Sequence, residues 1–195
     1  MTGRMLIAGI GNIFLGDDGF GPEVAKRLAA ASLPGWVRVA DYGISGMHLA
    51  YDLADGYDAA ILIDAAPRGD KPGSVSVLDV AAEHRPDAGP ADEAISASRL
   101  FDAHGMQPDV VLGVLDMLGG AGVAGAAGPG LARILVVGCE PANVDYGMEL
   151  SEPVATAVDE AVQVVLDLVA EAGRDHETTG AAGTPAAPAQ ALRNH

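Results

Sequence analysis

The sequence predicts a three-layer αβα domain on a mostly parallel central sheet of about five strands, with one edge strand antiparallel. Short continuous apolar runs alternate with longer runs of helical spacing, which is the pattern of strands buried on both faces and joined by helices. A glycine-rich turn follows the first apolar run directly, where open α/β folds place functional loops.

Taken in order, Met5-Leu6-Ile7-Ala8 reads as the first buried strand and Pro22 to Ala31 as the helix after it. Trp36 to Ala40 is a second strand, Gly46 to Leu53 a short helix, and Ala59 to Ile63 a third strand closed by Asp64. After the turn signal Lys71-Pro72-Gly73, Ser74 to Val80 alternates loosely and is expected to pair antiparallel at an edge. Pro108 to Leu118 has helical spacing, with Val110, Val111, Val114, Leu115 and Leu118 on one face. Gly119 to Gly130 holds only Gly, Ala, Val and Pro and reads as a loop, not a domain boundary. Ile134 to Val137 is the last buried strand, and Ser151 to Ala170 the last helix, with Ser151 as its N-cap. No internal repeat is visible.

The chain of 195 residues is long enough for one real core. Residues 1–173 form the expected single domain. Residues 174–195 form the expected disordered tail, because from Thr178 to Ala191 every residue except Gln190 is Thr, Gly, Ala or Pro. The net charge of -16 resides in the domain, since the tail's two arginines and two acids cancel. That charge would repel phosphate backbones, so nucleic acid is excluded as a partner, and the acidity is read mainly as a solvated surface. A mean hydropathy of +0.24 comes with no apolar run approaching the roughly 18 residues of a membrane helix, so no span is expected. The single cysteine, Cys139, cannot form an internal disulfide, and Met1-Thr2-Gly3-Arg4 leads straight into the first strand. A cytoplasmic protein is the expectation.

The turn runs Gly9-Ile10-Gly11-Asn12-Ile13-Phe14-Leu15-Gly16-Asp17-Asp18-Gly19-Phe20-Gly21. It fails the dinucleotide fingerprint because Phe14 stands where a glycine must let helix pack on strand. It fails the Walker pattern because Asp17 and Asp18 replace the lysine and hydroxyl that phosphates need. What remains is a turn that carries acids to the start of a helix, with Asp17 assigned to capping or turn structure. Asp18 after the first strand, Asp64 at the end of the third and His104 in the loop before the Pro108 helix could converge on one rim of the sheet. Two carboxylates and an imidazole would suit a hard-to-borderline metal with open coordination positions. Taken alone the signal is weak, since any α/β protein has an acid at some strand end and a loop histidine is more often solvated than ligating.

The ordered set Gly9-x-Gly11-Asn12-x4-Asp17-Asp18-Gly19-x-Gly21, Asp41-Tyr42-Gly43-Ile44-Ser45-Gly46-Met47, Ile63-Asp64-Ala65, Asp102-Ala103-His104-Gly105 and Gly138-Cys139-Glu140-Pro141 resembles the hydrogenase maturation endopeptidases. Tyr42 and Ser45 depart from that family's Asp-Gly-Gly-Thr-x-Gly turn. The resemblance covers roughly residues 4 to 170. It implies that Asp18, Asp64 and His104 are the catalytic and metal-contacting residues. It also implies an endopeptidase that removes a C-terminal peptide from the nickel-loaded precursor of a nickel-iron hydrogenase large subunit. Nickel, carried by that substrate's cysteines, would be the recognition element. A non-cleaving factor that binds the same precursor or its metal is the alternative from another class. A Cys139–His104 thiolate pair is a lesser rival, because a lone cysteine ending a strand is usually buried. Ser45 misses the nucleophile-elbow spacing and is assigned to a turn, while His48 and His84 are assigned to solvent.

Overall fold

A computed structural model describes residues 3–54, 56–79, 131 and 133–180. Within them the apolar runs become β1 (Met5–Ile10), β2 (Val37–Gly43), β3 (Ala59–Ala65), β4 (Val75–Asp79) and β5 (Arg133–Cys139). These form one sheet in the order β2-β1-β3-β5-β4. β1 pairs parallel with both β2 and β3, and β3 pairs parallel with β5. β4 is antiparallel to β5 at the edge, as the loose alternation predicts. β1, β3 and β5 are the interior strands, and their side chains are almost all buried, which is why their sequences are continuously apolar.

The helices among the described residues are α1 (Phe20–Ala29), α2 (Gly46–Ala54) and α3 (Glu152–Gly180). α1 and α3 cover one face, where Phe20, Val24 and Leu28 meet Ile7, Ile61, Val137, Val154, Val158 and Val165. On the other face Leu49, Ala50 and Leu53 of α2 pack with Leu6, Ala8, Leu62 and Val136. The expected helix at Pro108 to Leu118 and the loop at Gly119 to Gly130 lie outside the described residues, as do His84 and His104.

Several boundaries move. α1 begins at Phe20, so Pro22 is its third residue, where a missing N–H is no loss because that donor has no intrahelical acceptor anyway. β3 runs through Ala65, which places Asp64 inside the strand, paired in register with Gly138. α3 continues past the boundary expected at residue 173 and reaches Gly180. Arg174, Asp175, His176 and Glu177 add turns to a helix already nucleated, and propagation is far cheaper than nucleation. The helix therefore extends further than the composition implies, and residues 181–195 lie outside the described part.

Because β2 and β3 flank β1 on opposite sides, the chain reverses its direction of winding at β1. The crevice outside the ends of β1 and β3 is the position where open α/β sheets hold ligands. Two glycines close the packing there. A Cβ on Gly21 would stand 2.2 Å from the Ile10 carbonyl oxygen and 2.3 Å from that of Ile63, so α1 starts in direct contact with the ends of both strands. Gly11 has φ +130°, and a Cβ there would lie 1.8 Å from the Asp18 carbonyl oxygen.

Gly21→Ala is expected to cost at least about 2 kcal/mol in urea unfolding, because backbone must move to admit the methyl group. Gly35→Ala, where a Cβ meets nothing within 4 Å, should be close to neutral. Equal stabilities for the two variants would contradict the proposed close approach.

Candidate active site

The glycine-rich turn is held by its own polar groups. The Asn12 N–H donates to Asp18 Oδ2 at 2.7 Å, and the Phe14 N–H donates to Asn12 Oδ1 at 3.0 Å. The turn is also stitched to two neighbouring loops. The Gly11 N–H donates to the Gly43 carbonyl at the end of β2, and the Gly16 N–H to the Gly147 carbonyl after β5. Further bonds run from the Asp17 N–H to Asn143 O and from the Gly147 N–H to Phe14 O.

Asp17 turns out to be the anchor of this assembly. Its side chain does not cap the short 3-10 helix Gly16–Gly19 in which it sits. Instead its carboxylate, 1 % exposed, accepts the N–H groups of Ala142, Asn143 and Ser151 and the Ser151 hydroxyl, at 2.6 to 3.0 Å. Four donors offset the desolvation of the charge. The role is structural, as expected, but it acts on the loop after β5 and not on its own helix. Ser151 keeps the N-cap position, since its carbonyl accepts the Ala155 N–H, while its hydroxyl is turned to Asp17. Sequence reasoning also missed Glu140, a buried carboxylate that accepts the N–H groups of Arg68 and Gly69 and so fixes the β3–β4 connection. In both cases the partners lie some 70 to 130 residues away, beyond the reach of local pattern.

Asp18, next in the chain, and Asp64, near the end of β3, come together at the β1–β3 crevice. Asp64 is buried and its Oδ1 accepts the N–H of Ala65 at 2.8 Å. Burial holds its carboxyl well above the usual carboxylate range, the nearby Asp18 charge adds to the rise, and the Ala65 N–H opposes it. Two acids that disfavour each other's charge make a site that gains from a proton or a cation. Among the described residues no group of three His, Cys, Asp or Glu side chains could hold a metal ion. These two carboxylates would need at least one further donor, and His104 lies outside the described residues.

The rival residues fall away from this chemistry. Cys139 is fully buried at the end of β5, and burial together with the charges of Asp17, Glu140 and Glu160 pushes its thiol up to about 12. It is a neutral thiol at physiological pH and a poor nucleophile. Ser45 occupies the N-terminal turn of α2, where its carbonyl accepts the N–H groups of His48 and Leu49, and His48 is exposed. Tyr42, the departure from the family's glycine, donates its hydroxyl to Asp52 at 2.5 Å and so ties β2 to α2.

No protein-family model matches the chain. A Methanocaldococcus jannaschii protein named for the hydrogenase maturation proteases is 33% identical over 167 residues, covering 83% of this chain and 94% of its own. The Escherichia coli hydrogenase 2 maturation protease is 28% identical over 172 residues, covering 87% of this chain and 93% of its own. Among solved structures, the hydrogenase maturating endopeptidase HybD of Escherichia coli superimposes with a TM-score of 0.64 at 26% identity, covering 87% of this chain and 94% of its own. The chain belongs to the hydrogenase maturation protease family.

Asp17 and Asp64, both buried but in opposite surroundings, should respond oppositely to substitution. Asp17→Asn turns one acceptor oxygen into a donor among donors, and about 3 kcal/mol or more of stability should be lost in urea unfolding. Asp64→Asn keeps an acceptor for Ala65 but removes a disfavoured charge, so the isolated protein should melt higher at neutral pH. The sign follows from the raised folded-state pKa. The wild-type benefit of a neutral Asp64 is complete below its unfolded value of about 3.9 and is lost as pH rises through the folded value. The advantage of Asp64→Asn should therefore be largest at neutral pH and vanish below about pH 4. Melting curves across that range would contradict this if the variant were less stable at neutral pH.

Proposed function

We propose that this endopeptidase removes a C-terminal peptide from the nickel-loaded precursor of a nickel-iron hydrogenase large subunit, and that Asp18, Asp64 and His104 meet the nickel carried by that substrate. The observation that carries the reading is the buried Asp64 beside Asp18, a pair whose mutual repulsion a cation would relieve. Two carboxylate oxygens and one imidazole nitrogen suit a borderline metal whose thiolate ligands leave coordination positions open. Nickel thus arrives as part of the substrate and reports that the precursor is ready. The scissile amide is hydrolysed by water, which leaves a new carboxylate on the subunit and a free amine on the released peptide. In this reading Asp18 and Asp64 orient the precursor at the crevice, and no thiolate attacks. The family relationship and the likeness to an endopeptidase fold support cleavage over a non-cleaving binding role. On this reading, processing takes place in the cytoplasm, after nickel has been inserted into the precursor.

The test is incubation with nickel-loaded and nickel-free precursor, with the products weighed by mass spectrometry. Only the loaded form should be shortened. Asp64→Asn and His104→Ala should lower the cleavage rate by at least about a hundredfold, while Cys139→Ser should keep most of it. Binding of the loaded precursor without cleavage would favour the non-cleaving factor. Loss of cleavage in Cys139→Ser but not in Asp64→Asn would point to a cysteine protease.

A further inference from the structure

Among the described residues, eight large apolar side chains are exposed, and six of them lie on the three loops that hydrogen bonds join around the β1–β3 crevice or, for Met47, in the first turn of the helix that follows one of them. Ile13 and Phe14 follow β1, Ile44 and Met47 follow β2, and Tyr146 and Met148 follow β5. Tyr146 is 95 % exposed and Met148 70 %. The other two are Tyr51, further along α2, and Val77 on the edge strand β4. Apolar exposure is thus concentrated at the site end of the sheet, and clusters of this kind mark interaction surfaces.

The charge pattern narrows the occupant. The chain carries 27 acidic residues, yet residues 12–16, 43–48 and 141–149 contain only Asp145 and Glu149 as acids and no lysine or arginine. A basic partner would be met by the acidic remainder of the surface, not here. The rim suits a neutral, apolar protein surface. Its loops are the ones bonded to the turn that carries Asp18, so an occupant of the rim is held against the crevice.

We propose that this rim is the docking surface for an apolar patch of the hydrogenase precursor adjoining the bond that is cut. It supplies binding energy away from the reacting atoms, so that affinity does not rest on the nickel contacts alone. The inference rests on the protease reading of the preceding subsection. Large exposed aromatic and aliphatic side chains at the centre of an interface carry most of its affinity.

Steady-state cleavage of nickel-loaded precursor by the full chain tests it. The double variant Ile44→Ala/Tyr146→Ala should raise KM at least about tenfold with kcat held, while Val77→Ala should match wild type. Melting temperature and oligomeric state, read in parallel, should not change. An unchanged KM in the double variant overturns the proposal while leaving the protease reading intact. A fall of several degrees in melting temperature would show that the chain's own residues cover the rim. A change from dimer to monomer would show that a second copy does. Either result overturns the proposal. Failure of the wild-type chain to cleave loaded precursor would remove the protease reading itself.

Discussion

Asp17 is the constraint on which the arrangement of the site depends. A charge buried this deeply is tolerable only if donors surround it, and all four come from the segment between β5 and α3. The first loop of the chain and the last are thereby fixed to one another across more than a hundred residues. Asp18 is the next residue, so its position is inherited from this anchor and from the tight packing of Gly21 against β1 and β3. The same bonds fix the backbone that carries Phe14, Tyr146 and Met148. The two adjacent acids differ in their surroundings: the Asp17 carboxylate is enclosed by four donors, while the Asp18 carboxylate accepts the Asn12 N–H and lies near the like charge of Asp64.

That difference explains why the site is electrostatically unsettled inside a well-packed fold. Asp64 sits in an interior strand whose neighbours are apolar, and among the described residues a single backbone N–H, that of Ala65, supports its charge. A protein selected only for stability would place a neutral residue there. Retaining an acid at this position, near Asp18, costs stability in the isolated protein, and under the proposed function a cation arriving with the substrate would offset that cost. The buried, protonated Cys139 completes the contrast, since the chain's single thiol is packed away from the chemistry.

The fold was legible in the sequence because burial on both faces makes interior strands continuously apolar, as in Ile61 to Ile63 and Leu135 to Val137. The antiparallel edge could be read from the Lys71-Pro72-Gly73 turn and the looser alternation after it. Asp18 and Asp64 could be picked out because topology alone sends the ends of β1 and β3 to one crevice. What could not be read was Asp17's reach to residues 142–151 or Glu140's grip on the β3–β4 connection, since pairing over such separations leaves no local periodicity. The end of α3 was placed short because a composition shift at residue 174 does not stop a helix that is already propagating.

The central claim, that this chain's carboxylates and His104 complete the coordination of a nickel ion brought by the precursor, is tested most directly by X-ray absorption at the nickel edge. The loaded precursor would be measured alone and in complex with the protease. The account predicts added oxygen or nitrogen scatterers at roughly 2.0 to 2.3 Å in the complex, reduced in complexes formed with Asp64→Asn. A nickel spectrum unchanged by a protease that still cleaves the precursor would contradict it.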